Sequence, residues 1–514
     1  MRGTRHSNGA LQALLAIPLL ATLGACGGQT GLPPDDTLVV ALESGPLRLD
    51  PRIGTDQASW RVHDVVFPGL VKKGLAGEFV PDLAESVESV DGAVWTARLR
   101  KGLTFHDGRP LTSQDVAFTY RSLLSGEFAS SKREPLKIIE SIETPDDLTV
   151  VFHLQEPYGS FELQLLLGIV PDGTTPEALE ARPVGAGPYR FLSYKTDDRV
   201  DFERFDGWHG GRAKIPRLVF RIVPDATTRA LELLRGSVHL SVNNTPPDLL
   251  PRFRETPGVA VTVRPGSTYA YLAFNLRDPV LGKVEVRRAL ALALDRDALA
   301  SGLWRGTVKK TETLLPEGHW ARADDLPVLA PDLDEARRLL DAAGFPDPGD
   351  GRPRLSLTYK TSTDETSILQ ATAIAAQWSR VGVETRIRSN DFATFYQDVV
   401  KGSFRLFSLR WQGIVDPDHY HEVFLSTSVP PKGWNRGFYA DPEVDRWILD
   451  ARHLLDRGER KALYRQIQLR AARDLPYISL YTTMSIAVHD SRLTGVEAMN
   501  PTADFSFLPG LARR

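Results

Sequence analysis

The chain of 514 residues has a single cysteine, Cys26. No disulfide can form within it, and no thiol nucleophile exists downstream of residue 26. A fold of this size must instead be held by large buried cores, which a chain of this length can build. Charge of one sign is also scarce. The 62 basic and 65 acidic residues leave a formal net charge of −3, without the basic excess that nucleic-acid binding needs. Past the amino-terminal region no apolar run reaches the roughly 20 residues of a membrane-crossing helix. Catalytic signatures are absent too: no Gly-x-Ser-x-Gly elbow, no phosphate loop, no Gly-x-Gly-x-x-Gly, no His-Glu-x-x-His. The expectation is therefore a protein that is not an enzyme, with no catalytic residues and no cofactor. Asp416, Asp418, His419, His421 and Glu422 crowd potential metal ligands into a few positions. They are read as loop and helix-cap residues facing water, and no metal site is expected.

What is present begins with Arg2 and Arg5, followed by an apolar stretch from Ala10 to Leu23. A basic start, a short apolar middle and small residues at a cut site make a secretory signal. Leu23-Gly24-Ala25-Cys26 resembles the lipobox of bacterial lipoproteins. That resemblance implies cleavage before Cys26, lipid (palmitate) on its sulfur, and an exported protein anchored on the periplasmic or cell-surface face of a membrane. Residues 1–25 are then the signal peptide. Residues 26–36, with Gly27-Gly28 and Pro33-Pro34, are a lipidated tether.

Downstream, strand and helix patterns alternate. Leu38–Leu42, Leu148–Leu154, Ala260–Val263 and Tyr269–Phe274 read as strands, and Trp95, Ala97 and Leu99 alternate with polar neighbours. Leu355–Tyr359 and Val383–Ile387 form a similar pair around a helix candidate at Ile368–Trp378. Val286, Ala289, Leu290, Ala293 and Leu294 share a helical face. Further helices are expected over Asp334–Ala343, stopped by Gly344, and after Asp441-Pro442, with Val444, Trp447, Ile448, Ala451 and Leu455 inward. A fourth covers Glu459–Arg473. Mixed β-α order without a nucleotide signature predicts an α/β or α+β protein with several sheets.

Seven phrases share an order with one family. The longest is Phe105-His106-Asp107-Gly108-Arg109-Pro110-Leu111-Thr112-Ser113-Gln114-Asp115-Val116-Ala117-Phe118, physically an Asp-Gly turn followed by an acidic capping box. The others are Leu49-Asp50-Pro51, Gly187-Pro188-Tyr189-Arg190-Phe191, Asn275 with Val286-Arg287-Arg288-Ala289 and Asp295-Arg296, Asp334–Phe345, Asp416-Pro417-Asp418, and Leu475–Leu480. Together they resemble the extracellular solute-binding family 5, the dipeptide, oligopeptide and nickel receptors of ABC importers. The resemblance implies an α/β, two-lobed periplasmic binding protein fold of type II-like topology, with an extra domain inserted in the first lobe. Residues 37–62, 186–272 and 480–514 would form the core of lobe I, 63–185 the inserted domain II, and 273–479 lobe II (domain III).

The implied function is a monomeric substrate-binding lipoprotein. It captures small peptides or peptide-like solutes between its lobes and delivers them to an ABC permease and ATPase complex, without nucleic acid. In peptide-binding relatives a tryptophan precedes an aspartate that pairs with the peptide amine. Trp411 matches the tryptophan, whereas the aspartate position holds Gly413. Either Asp416 or another carboxylate replaces the anchor, or the solute lacks a free amine. Tyr271 and Asn275 fall on the expected crossover strand, with Tyr269 on the same face as Tyr271. Arg410 has the planar fork that fits a carboxylate. Glu43 and Ser44 stand at the lip after the first strand. The expected solute contacts are thus Trp411, Tyr271, Asn275, Arg410, Asp416, Glu43 and Ser44. Two other readings share the fold: a non-peptide cargo (nickel chelate, opine-like conjugate or oligosaccharide), and a ligand sensor for a signalling receptor.

Overall fold

The computed structural model describes residues 33–514. The export signal, Cys26 and the first part of the tether lie outside the described residues. An eleven-stranded mixed sheet runs through most of the molecule. In chain order its strands are β1 (Thr37–Leu42), β2 (Tyr189–Lys195), β3 (Arg199–Arg204), β4 (Arg217–Ile222), β5 (Leu240–Val242), β6 (Val259–Phe274), β7 (Val308–Lys310), β8 (Leu355–Ser362), β9 (Val383–Asn390), β10 (Leu406–Trp411) and β11 (Tyr477–Asp490). In space the order is β9-β8-β10-β6-β11-β5-β1-β4-β3-β2, with β7 also paired to β11.

β1 lies between parallel neighbours β4 and β5, and every one of its residues is buried. That is why Leu38–Leu42 reads as a continuous apolar run rather than an alternating one. β8 is likewise parallel to both β9 and β10.

Cores separate the sheet into two lobes. Leu38, Val40, Leu42, Phe202, Phe220, Ala487 and Phe505 share one cluster at the β1 end. At the other end Leu272, Leu290, Leu340, Tyr359, Trp378 and Leu480 pack on one face, and Tyr271, Phe407, Trp411, Tyr420 and Tyr477 on the opposite one. A further unit carries its own antiparallel four-stranded sheet, ordered Ala84–Ser89, Val94–Leu99, Thr149–Leu154, Ile139–Asp146. The long family phrase belongs to this unit. Gly108 takes φ 87° in the turn, and Asp115 Oδ2 accepts from the Thr112 N–H at 2.8 Å. The helix that follows, Ser113–Ser125, buries Val116, Ala117, Tyr120 and Leu123.

The capped helices form where cap chemistry predicts. Pro442–His453 begins at Asp441, whose side chain accepts from the Glu443 and Val444 N–H groups. Leu333–Ala342 is followed by Gly344 at φ 91°. Two expectations change. Ala260–Val263 and Tyr269–Phe274 are one strand, Val259–Phe274, because β11 pairs with it on both sides of a bulge between Pro265 and Tyr269. Leu455 lies beyond its helix and packs on the inserted unit's core, not with Val444 and Ile448.

Candidate functional site

Among the described residues, β6 and β11 are the strands whose two halves serve different lobes. Val259–Pro265 pair with Met484–Asp490, and Tyr269–Ala273 pair with Tyr477–Thr482. Between them sits Gly266, where a Cβ would fall 2.2 Å from the Thr483 carbonyl oxygen. Only glycine permits the two strands to approach so closely at the crossing. The parallel strands β1, β4, β8, β9 and β10 end at Leu42, Ile222, Ser362, Asn390 and Trp411. In open α/β sheets the crevice beyond such carboxyl ends is where ligands bind.

On the first lobe, Glu43 follows β1 directly. Its Oε2 lies 3.2 Å from Arg61 Nη1 and accepts from Asn244 Nδ2 at 3.0 Å. Burial raises the affinity of this carboxyl for its proton, but Arg61 and the Asn244 amide outweigh it, so the carboxyl sits below its usual range. Ser44 is exposed beside it.

On the second lobe the sequence-selected aromatic residues come together. Tyr269 stacks on Tyr271 at 5.7 Å, and Tyr271 stacks on Trp411 at 5.9 Å and on Tyr477 at 4.4 Å. Cross-strand pairing of Tyr269 with Trp411 and of Tyr271 with Leu409 sets this cluster. Trp434 lies on Trp411 at 5.4 Å, and His419 meets Trp411 edge-on at 5.0 Å. Burial lowers the His419 pKa to about 4, Glu422 opposing and Arg436 adding to the fall, so the ring is neutral near pH 7.

The other selected residues lie elsewhere. Arg410 neighbours Trp411 on β10 and therefore points to the opposite face. Its guanidinium sits 4.7 Å over the Trp304 ring. Asn275, expected at the solute, donates to the Phe404 carbonyl at 3.0 Å and accepts from the Arg277 N–H at 3.2 Å, tying a loop. Gly413 is exposed with φ 66°.

Asp416, the other expected solute contact, is 5% exposed and accepts from Ser160 Oγ at 2.8 Å. Burial raises its pKa, partly opposed by Arg460. Asp418 beside it accepts from Tyr158 Oη at 3.0 Å and from Arg452 Nη1 at 2.6 Å. Arg460 donates to the Gly159 carbonyl at 2.9 Å and to Ser160 Oγ. These two aspartates thus fasten the inserted unit to the second lobe. A second contact joins the same units, where the Trp320 N–H donates to the Ala76 carbonyl at 3.0 Å. Around it, Glu78, His319, Ile414, Val415 and Asn500 line a recess where the inserted unit and both lobes meet.

Sequence reasoning missed Arg61, Asn244, Arg436 and Trp434. None belongs to a periodic pattern, and Trp434 and Arg436 lie in the irregular segment between Leu425 and Asp441, where only an aromatic beside a cation hints at a site.

Three comparisons bear on this geometry. The profile described as "Bacterial extracellular solute-binding proteins, family 5 Middle" matches residues 78–430. The dipeptide-binding protein of Escherichia coli (strain K12) is 27% identical over 465 residues, covering 84% of this chain and 86% of the relative. Heme-binding protein A of Haemophilus influenzae is 28% identical over 494 residues, covering 90% of each. Among solved structures, HbpA2 from Haemophilus parasuis superposes with a TM-score of 0.84 at 25% identity, covering 93% of this chain and all of that one.

Proposed function

The chain belongs to the bacterial extracellular solute-binding proteins of family 5, and from that membership we propose that it is the receptor of an ABC importer, capturing peptides or peptide-like solutes between two lobes and presenting them, chemically unchanged, to a permease and its ATPase. The observation that carries this reading is the arrangement around β6 and β11. These two strands run from one lobe into the other, and an aromatic cluster built on Tyr271 and Trp411 stands where β10 ends. Hinge closure over a solute is the motion such a connection supports. The dipeptide-binding and heme-binding relatives are consistent with an organic solute.

In this reading residues 37–62, 186–272 and 480–514 act as lobe I, 63–185 as the inserted domain and 273–479 as lobe II. Trp411 and Tyr271 form the wall and Glu43 and Ser44 the opposite lip, while Arg410 stands on the other face of β10 over Trp304. Asn275 and Asp416 shape the cleft from behind through the contacts described above. The protein acts as a monomer without catalytic activity. Lipid on Cys26 holds it at the outer face of a membrane; no helix among the described residues is long and apolar enough to cross one.

Native mass spectrometry combined with small-angle scattering tests the proposal. Purified protein is expected to carry a small solute, and the cargo-free form to contract when a binding peptide is added. Product formed from any such solute, or scattering that never contracts with any peptide, would overturn it.

A further inference from the structure

Arg436 is 4% exposed and forms no ion pair with a carboxylate among the described residues. Its hydrogen bonds run to phenol oxygens, Tyr396 Oη at 2.9 Å and Tyr271 Oη at 3.4 Å. The guanidinium carbon lies 4.4 Å from the Trp411 ring centre and 5.1 Å from that of Tyr396. Stacking on rings offsets part of the cost of burying the charge. A buried cation with no counter-charge remains unfavourable.

Two neighbours share the deficit. Trp411 Nε1 and His419 Nε2 are both buried without a hydrogen-bond partner among the described residues. Each such orphan costs the full desolvation of its group. Trp411 is itself 8% exposed. Two further aromatics, Trp434 at 44% and Phe392 at 59% exposure, extend this patch toward solvent, stacked on Trp411 and Tyr396 respectively.

We propose that this cluster is the subsite for a carboxylate group borne on an apolar, aromatic part of the solute. The inference rests on the solute-receptor reading and gives its solute a chemical class. A carboxylate beside Arg436 would supply its missing counter-charge and bring acceptor oxygens to a neighbourhood where the Trp411 and His419 ring nitrogens lack partners. A phosphate dianion would leave an excess of negative charge beside the same rings. The rings suit an aromatic body attached to the acid.

Phenylacetate provides the probe, with phenylacetamide as its neutral counterpart and inorganic phosphate as the competing anion, at matched ionic strength and on full-length protein stripped of cargo by unfolding and refolding. Phenylacetate is expected to raise Tm and change tryptophan emission, and the amide and phosphate to do neither. Arg436→Gln should weaken phenylacetate binding about tenfold or more, and Arg436→Lys should retain part of it. The cargo-free Arg436→Gln protein should be no less stable than wild type, because it no longer buries an uncompensated charge. An equal response to phenylacetamide or phosphate, no response to phenylacetate, or an undiminished response in Arg436→Gln would overturn the assignment. If that variant does not fold, the wild-type acid–amide comparison still decides. A wild type that contracts on peptides yet ignores phenylacetate sinks only the subsite. A wild type that carries no cargo and contracts on nothing sinks the receptor reading.

Discussion

Asp64 is half-buried beside a second carboxylate. Burial, reinforced by the nearby Asp504, raises its pKa to about 7, although its Oδ2 accepts from the Phe505 N–H at 2.8 Å. Folded protein therefore holds this proton at pH values where the unfolded chain has released it. The stabilising contribution is present at low pH and is lost as pH rises toward 7, at about 1.4 kcal/mol for each pH unit that separates the folded titration from the unfolded one. Asp64→Asn should accordingly raise the urea midpoint at pH 8 and leave it nearly unchanged at pH 4. An equal effect at both would show that the carboxyl titrates normally. At Gly413 the expectation concerns cargo: dipeptides with a free amino terminus should bind weakly, since no carboxylate stands at that position to meet the ammonium. Submicromolar calorimetric affinity for such a dipeptide would refute it. Single residues were legible where local chemistry fixes them. Trp411 and Tyr271 announce a strand face, and Glu43 the end of a strand. Arg436 was not legible, because its meaning comes from Tyr396, Trp411 and His419, which reach it from separate segments.

At the level of elements, caps were the most readable feature. Asp441 ahead of Pro442 and Gly344 after a helix work locally, so sequence suffices. Asp441→Ala should cost about 1 kcal/mol, read from thermal or urea unfolding. The crossing strands were harder. Pro265-Gly266 carries breaker chemistry and reads as an interruption, yet β11 continues the ladder past it through a bulge. The same close approach makes Gly266→Ala a sharp test. Its added methyl meets the Thr483 carbonyl oxygen at 2.2 Å, and the expected loss is about 1–3 kcal/mol of stability. A neutral result would mean the strands part easily at this point.

At the scale of the whole molecule, acid should weaken the fold. Burial holds His63 at about 3 and His106, His239 and His419 at about 4. The unfolded chain binds these protons near pH 6.5, so stability falls as pH drops from 6.5 toward 4. Asp64, Asp416 and Glu162, whose pKa values burial raises, act in the opposite sense, but six histidines are held low. The urea midpoint should therefore be lower at pH 5 than at pH 7. The paired aspartates offer a separate test. Asp416→Asn with Ser160→Ala removes one clasp between the inserted unit and the second lobe while leaving Asp418 with Tyr158 and Arg452. Scattering should then show a larger radius of gyration in the cargo-free state, and an unchanged radius would assign those contacts to packing alone. The two-lobed architecture was legible because seven short phrases fall in one order along the chain. The clasp was not, because Ser160 and Asp416 stand 256 positions apart and neither has a distinctive neighbourhood.

The first core draws on both extremities of the described chain: Leu38–Leu42 from near its start, and Ala487, Phe505, Leu508 and Leu511 from near its finish. The core of the inserted unit and the two faces of the second lobe come instead from continuous stretches in between. As the exported chain emerges amino terminus first, those middle portions can consolidate before the rest arrives. β1 can already pair with β4 and β5, but the side of its core that Ala487, Phe505, Leu508 and Leu511 cover stays open until the final residues arrive. Loss of even the last dozen residues would therefore leave a nascent product with a sound interior and an unfinished beginning, the kind of species that chaperones retain and proteases trim.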